Sequence, residues 1–265
     1  MELVVVGSGT VAPTADRTAP AHWVTTGTTR LLLDCGAGTL HRAATLAIPW
    51  QQVTHIAVTH FHMDHWGELP AYLFALRWGI EPARAESLEI IGPLDLRRRL
   101  TALAQALGDW VLEPGYPLQI TELEPGSSHK LQEGVTLETC KTPHTDRSVA
   151  YAVRDQVAHL VYTGDTGPSD ELADWAAGCD LLLAECSLPD DRALDVHLTP
   201  LSAGELGRAA RAGHLVLTHC YPVFGDTDPA SIASRAFGAP VEMAYDGARY
   251  VVERRKQPRQ TRRCL

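Results

Sequence analysis

Ligand-type side chains are densest in the stretch VTHFHMDH, residues 58–65, where three histidines and an aspartate fall at 60, 62, 64 and 65. They follow an apolar run, His55 to Thr59, that reads as a short buried strand. Residues at i and i+2 leaving a strand end project to one side, so His60 and His62 converge on one ion. Asp64 and His65 come next and reach a second. Imidazole and carboxylate suit zinc and related divalent ions, and three protein ligands with an open position is a catalytic rather than a structural arrangement. A histidine-rich surface loop is the competing reading, but His-x-His-x-Asp-His capping a strand is far rarer than a lone His-x-His.

Other candidates lie downstream. Asp165 closes Leu160 to Gly167, a strand running into a turn. Its two carboxylate oxygens could bridge two cations held roughly 3.5–4 Å apart, although an aspartate before Thr-Gly also forms turns. His219 again ends an apolar run, His214 to Thr218. His144 follows Pro143 in the turn after the strand Gly134–Cys140; the proline locks the approach, yet a histidine after a proline carries no signal alone. Glu185 ends the strand Cys179–Ala184. About a dozen residues later comes His197, just before Thr199-Pro200, which caps a helix over 201–212 with Glu205 available to its first turns. A carboxylate bonded to one imidazole nitrogen fixes the tautomer and raises the basicity, making His197 with Glu185 a candidate proton donor. The alternative is that His197 only caps that helix. Asp34 is either a catalytic carboxylate or an acceptor that orients a ligand histidine. His22, His41, His55, His129, His159 and His214 lack such context and read as structural or surface residues.

These side chains need elements to place them. The amino terminus is a strand, and GSGTVA at 7–12 looks like a dinucleotide fingerprint, but Pro13 and Pro20 prevent the helix that fingerprint requires. A hairpin over 23–34 turns at Gly27, and Cys35-Gly-Ala-Gly38 opens a helix through Ala47. Apolar residues at 69, 72, 73 and 76 predict an amphipathic helix from Gly67 to Trp78, pinning the ligand loop between strand and helix. A strand at Leu88–Ile91 precedes a helix over Leu94–Leu107. Its Arg97, Arg98 and Arg99 fan out around the axis, so they read as a solvated face rather than a phosphate site. Prolines and glycines thicken from Pro114 to Pro125, which reads as the midpoint connection.

With 265 residues, 45% of them hydrophobic, the chain has ample material for a core. A formal net charge of −9 argues against gripping long nucleic acid by bulk electrostatics, although two bound cations would reverse the sign locally. Cysteines at 35, 140, 179, 186, 220 and 264 show no Cys-x-x-Cys spacing and read as free core thiols, the pattern of a reducing, cytoplasmic compartment. No segment reads as a targeting signal or membrane anchor. Residues 254–265 form a basic, polar, proline-broken tail that reads as disordered.

The loop His60-x-His62-x-Asp64-His65 resembles the hallmark loop of the metallo-β-lactamase superfamily at every ligand position. Gly7 to Arg17 resembles the Gly...Pro-Thr-x-x-Arg opening of its ribonuclease Z-like branch, and Asp34-Cys-Gly-x-Gly-Thr39 is a familiar segment there. The resemblance spans nearly the whole chain. It implies an α/β fold, a four-layer αβ/βα sandwich over residues 1–253 with pseudo-halves of about 1–125 and 126–253, and a dinuclear metal site at the sheet edge. It implies His60, His62 and His144 on one metal, Asp64, His65 and His219 on the other, and Asp165 as the bridge, with Asp34 in the orienting role. Glu185 and His197 narrow the branch.

Two departures bear on function. Many transfer-RNA-processing members carry a long arm between the third histidine and the bridging aspartate, where this chain has only about 20 residues. Class B β-lactamases generally lack the bridging aspartate. The expectation is therefore a zinc-dependent hydrolase, with manganese the substitute metal, acting on small or single-stranded phosphodiesters through a metal-bridged hydroxide that Asp64 orients. The alternatives are RNA 3′-end processing, hydrolysis of a lactone, thioester or aryl sulfate, and a metal-bearing binding protein without turnover. Homodimerisation stays open.

Overall fold

A computed structural model describes residues 1–132 and 134–254. The first part of the chain holds β1 (Glu2–Gly7), β2 (Ala21–Thr26), β3 (Thr29–Leu33), α1 (Thr39–Thr45), β4 (His55–Ala57), α2 (Met63–Trp66), α3 (Leu69–Trp78), β5 (Leu88–Pro93), α4 (Leu96–Leu107) and β6 (Leu118–Leu123). There follow β7 (Ser128–Gln132), β8 (Val135–Lys141), β9 (Val149–Arg154), β10 (His159–Tyr162), α5 (Asp170–Trp175), β11 (Leu181–Glu185), α6 (Pro200–Ala209), β12 (His214–Thr218), α7 (Pro229–Phe237), β13 (Val241–Met243) and β14 (Arg249–Val251).

Two seven-stranded sheets result, in the orders β14-β1-β2-β3-β4-β5-β6 and β13-β12-β11-β10-β9-β8-β7. Period-two alternation of apolar residues builds the layers, because successive side chains leave opposite faces of a strand. Leu3, Val5, Leu31 and Leu33 meet Leu181, Leu183 and Val216 in one cluster between the sheets. Val4, Val6 and Leu32 turn outward to pack with Leu69, Leu73 and Leu76 of α3 and Leu96 and Leu100 of α4. Leu182, Leu215 and Leu217 pack against Ala203 and Leu206 of α6. Strands with both faces covered read as unbroken apolar runs, which is why these were the most visible in the sequence. The order of layers is helix, sheet, sheet, helix, the αβ/βα sandwich.

The span 114–125, read as a connection, contains β6, which pairs in parallel with β5 as an edge strand. The last strand, β14, returns to the first sheet beside β1. The basic tail beyond Arg254, Cys264 included, lies outside the described residues. The other five cysteines are buried, and none forms a disulfide among the described residues. No helix among the described residues is long and apolar enough to cross a membrane.

The topology brings the chemistry to one edge. Strands β3, β4 and β5 are mutually parallel, as are β10, β11 and β12, and β8 runs with β10 because both lie antiparallel to β9. Asp34, the His60 loop, His144, Asp165, Glu185 and His219 thus all stand at carboxyl ends of strands, where ligands bind in open α/β sheets.

Candidate metal centre

The ligand loop leaves β4 and is held by backbone bonds before any side chain is considered. Cys35 N–H donates to His65 O at 2.7 Å, and Glu68 N–H to Cys35 O at 3.0 Å, so the turn after β3 and the loop after β4 lie against each other. Gly36 is required there: a Cβ at this position would stand 1.9 Å from Asp64 O. The other loops interlock in the same way. Thr142 Oγ1 donates to Asp165 O at 3.0 Å, and Gly167 N–H to Pro143 O at 3.0 Å, tying the His144 turn to the Asp165 turn. Asp34 and His219 both have left-handed backbone, with φ of 59° and 57°, a conformation that costs energy in a non-glycine residue and collects at functional sites.

All seven sequence candidates come together, in two groups. Ligand-type atoms of His60, His62, His144 and Asp165 lie within 4.8 Å of one another, as do those of Asp64, His65 and His219. Asp165 faces both. Its Oδ1 is 3.2 Å from His65 Nε2 and 3.4 Å from His219 Nε2, while Oδ2 is 3.5 Å from His144 Nε2 and 3.8 Å from His60 Nε2. One oxygen toward each group is the disposition a bridging carboxylate needs. His60, His65, Asp165 and His219 are at most 4% exposed, whereas His62 lies at the surface.

Donor chemistry provides a test of whether these residues fit metal ions. His65 Nδ1–H donates to Asp34 Oδ2 at 2.7 Å. Thr59 Oγ1 donates to the same oxygen, so it accepts from His60 Nδ1–H at 3.1 Å. His144 Nδ1–H donates to Val196 O at 3.0 Å. Ser187 Oγ donates to Glu185 Oε2 and therefore accepts from His219 Nδ1–H at 3.0 Å. Four imidazoles thus spend the Nδ1 proton outward and turn a bare Nε2 inward, the tautomer that metal ligation selects. Two pairs of ring nitrogens then face each other, His65 Nε2 and His219 Nε2 at 3.3 Å, and His144 Nε2 and His62 Nδ1 at 3.0 Å. Buried His60 Nε2 and Asp165 Oδ1 have no hydrogen-bond partner. Lone pairs aimed at one another across such gaps fit shared cations, and the residues fit two.

Electrostatics agree with the grouping. Burial holds His60 well below the usual imidazole range, with His65 adding to the effect. Burial opposes charge on Asp165, but His219 and His65 outweigh it and hold the carboxyl well below its usual range. Burial also opposes charge on His65, and there the carboxylates of Asp165 and Asp34 prevail and raise it.

Beside this cluster stand Glu185 and His197. His197 Nδ1–H donates to Glu185 Oε1 at 2.9 Å, and Thr166 N–H donates to the same oxygen at 2.7 Å. Burial disfavours the imidazolium, but the hydrogen bond that His197 donates to the Glu185 carboxylate overcomes it, and His197 lies above its ordinary value. The helix that follows is capped by others: Thr199 accepts from Ser202 N–H, and Ser202 reaches back to Thr199 N–H. Ser202, at the third helical position, completes that capping box. Asp34 orients His65 and also accepts from Tyr162 Oη at 2.8 Å and Thr59 N–H at 2.7 Å. Ser187, Thr59 and Tyr162 escaped the sequence reading, since nothing about a serine two residues past a glutamate marks it as the link between His219 and Glu185. The histidines set aside stay out of these groups: His214 pairs with Glu242, His129 with Glu89, and buried His22 stacks edge-on to Tyr162.

A beta-lactamase superfamily domain profile matches residues 29–220. The chain is 28% identical over 283 residues to a ribonuclease Z of Mycobacterium bovis, covering 97% of this chain and all of the relative. It is 30% identical over 273 residues to a ribonuclease Z of Mycobacterium sp. strain KMS, covering 93% and 94%. Among solved structures it is similar to the metallo-beta-lactamase fold protein YhfI of Bacillus subtilis, with a TM-score of 0.81 at 24% identity over 94% of this chain and 98% of that one. It is also similar to the short form of human tRNase Z, with a TM-score of 0.77 at 23% identity over 95% and 99%. The chain belongs to the metallo-β-lactamase superfamily, in its ribonuclease Z-like branch, and is a metal-dependent hydrolase.

Proposed function

We propose that this hydrolase cleaves small or single-stranded phosphodiesters, with zinc as the metal. The observation that carries the reading is the Glu185–His197 pair beside the seven-residue cluster. His60, His62, His144 and Asp165 would hold one cation, and Asp64, His65, His219 and Asp165 the other. Bound there, two divalent cations supply a nucleophile at neutral pH and neutralise charge on phosphoryl oxygens. The chain's own residues do the rest. Asp34, Thr59, Val196 and Ser187 fix the histidine tautomers, and Asp64 orients the attacking oxygen. His197, with Nδ1 committed to Glu185, presents Nε2 to the departing oxygen and gives it a proton. An alkoxide leaves poorly without one. Lactones and thioesters place less demand on a separate proton donor.

The relatives' name favours a second reading, RNA 3′-end processing. The M. bovis relative is matched along its whole length, and here the short span between His144 and Asp165 is filled by β9, β10 and their turn. Turnover of bis-p-nitrophenyl phosphate, a homoserine lactone, an aryl sulfate and a precursor transfer RNA, each with metal content measured, separates these. We expect the diester to be the best of the three small substrates. Cleavage of the lactone or the sulfate alone rejects the proposal, and flat rates with full metal leave a binding protein.

A further inference from the structure

Arg97 and Arg98 stand on an exposed helix face, as expected, while Arg99 is half-buried against the candidate ligand loop. β5 runs parallel to β4, so α4 begins at the same edge as the ligand loop. The Arg99 guanidinium lies 4.3 Å over the ring of Phe61, the residue between His60 and His62. Arg147, three positions past His144, reaches to within 3.7 Å of Asp95 Oδ2, and Asp95 Oδ1 holds Arg98 Nε at 3.2 Å. Arg97, Arg98, Arg147 and Thr101 wall a recess of about 740 Å³. Glu122, which also lines the recess, accepts from Arg97 N–H at 3.2 Å and so occupies the amino end of α4, leaving the arginine guanidinium groups as the anion-binding atoms. In a chain of net charge −9, cationic groups are thus gathered beside the histidine loops of one metal group.

We propose that this recess holds phosphates of a single-stranded oligonucleotide that flank the scissile diester. The inference rests on the phosphodiesterase reading and names its substrate class. A mononucleotide diester has one phosphate, which the metal centre would occupy, leaving these arginines nothing to bind. A longer strand offers them its next phosphates. Asp95 then acts as a placeholder: it keeps Arg98 and Arg147 in position and competes with the incoming anion. Both arginines are well exposed, with side chains 70% and 47% accessible, so replacing them leaves the core intact.

The test measures kcat/KM for a short labelled single-stranded RNA and for bis-p-nitrophenyl phosphate, with RNA binding followed by fluorescence anisotropy, between about 50 and 200 mM KCl. Arg98→Ala with Arg147→Ala should weaken RNA binding about tenfold and flatten the log–log salt slope by about 1.4, or about 0.7 for each lost phosphate contact. The small diester should be unaffected. Asp95→Asn should tighten RNA binding. Equal loss on both substrates, or an unchanged salt slope, would mean that these arginines only brace the His144 turn, and the inference falls. Hydrolysis of the small diester by a protein that does not bind RNA would reject the recess but spare the phosphodiesterase reading. Arginine-dependent RNA binding without hydrolysis of any diester would do the reverse.

Discussion

His197 concentrates the residue-scale chemistry. Its Nδ1–H is held by Glu185, and it lies above its ordinary imidazole value despite its burial, so it stays protonated further into the alkaline range than a free histidine. A raised value means the proton is present below it and lost as pH rises through it. For a substrate with an alkoxide leaving group, kcat should therefore fall on the alkaline side, at a pH above 6.5, the ordinary histidine value. Glu185→Gln should move that limb down, and p-nitrophenyl esters should lack it, since nitrophenolate leaves without a proton. His197→Ala should cut hydrolysis of a nucleotide diester by ~10²–10⁴-fold and a p-nitrophenyl diester far less. Equal losses on both, with metals retained, would assign His197 to phosphate binding instead. Asp165→Ala should lose metal and activity together by elemental analysis and assay, while His214→Ala, at a surface pair with Glu242, keeps both. Equal damage in the two would show that the bridge is misassigned. The candidate ligands in the loop His60-x-His62-x-Asp64-His65 were legible because that pattern capping a strand is rare, whereas His144 carried no signal of its own and was placed by the family resemblance. Ser187, Thr59 and the Val196 carbonyl were not, because their roles exist only once strands distant in sequence lie side by side.

Secondary-structure elements differ in legibility according to how many faces they bury. The runs that became β3, β5, β11 and β12 carry consecutive apolar residues, Leu31–Leu33, Ile90–Ile91, Leu181–Ala184 and Leu215–Leu217, because helices cover one face and the opposite sheet the other. β6 and β7 are edge strands with polar residues along them, and β13 and β14 have three residues each, so no period could emerge. α5 and α7 left only their caps as signals, Ser169 accepting from Leu172 N–H and Asp228 accepting from Ala230 N–H ahead of Pro229. The turn after β3 carries the sharpest constraint at this scale. Gly36→Ala would drive a Cβ into Asp64 O, and backbone on both sides is pinned by the Cys35 and Glu68 hydrogen bonds. The loop must shift, and ligand geometry tolerates little displacement. We expect Gly36→Ala to reduce metal bound per chain and to lower the melting temperature of the metal-loaded protein more than that of the chelated protein. An equal drop in both would place the damage in packing rather than in the metal loop.

At the scale of the whole molecule, the two sheets meet around buried charge that their apolar cluster cannot neutralise. Asp34, Asp165 and Glu185 are each at most 4% exposed at the edge where the halves of the sandwich join. Removal of the metal leaves protons to do the balancing. In the chelated protein Asp165 and Asp34 raise His65 above its ordinary value, so the stability this supplies is complete below about 6.5 and is lost as pH rises through the raised value. Asp165 works in the opposite sense: its value is depressed, and its contribution is lost only as pH falls well below 3.8. Above neutrality the raised histidines, His65 and His197, therefore set the slope, and the chelated protein should melt at progressively lower temperature. The loaded protein should behave oppositely, because protons compete with cations for the same Nε2 atoms and metal binding strengthens as they leave. Thermal melts of both forms from acidic through alkaline pH should thus diverge, the gap widening with pH until other groups titrate. Parallel curves would show that the cluster is balanced by something other than the metals, and would remove the physical basis for treating the two sheets as joined through them.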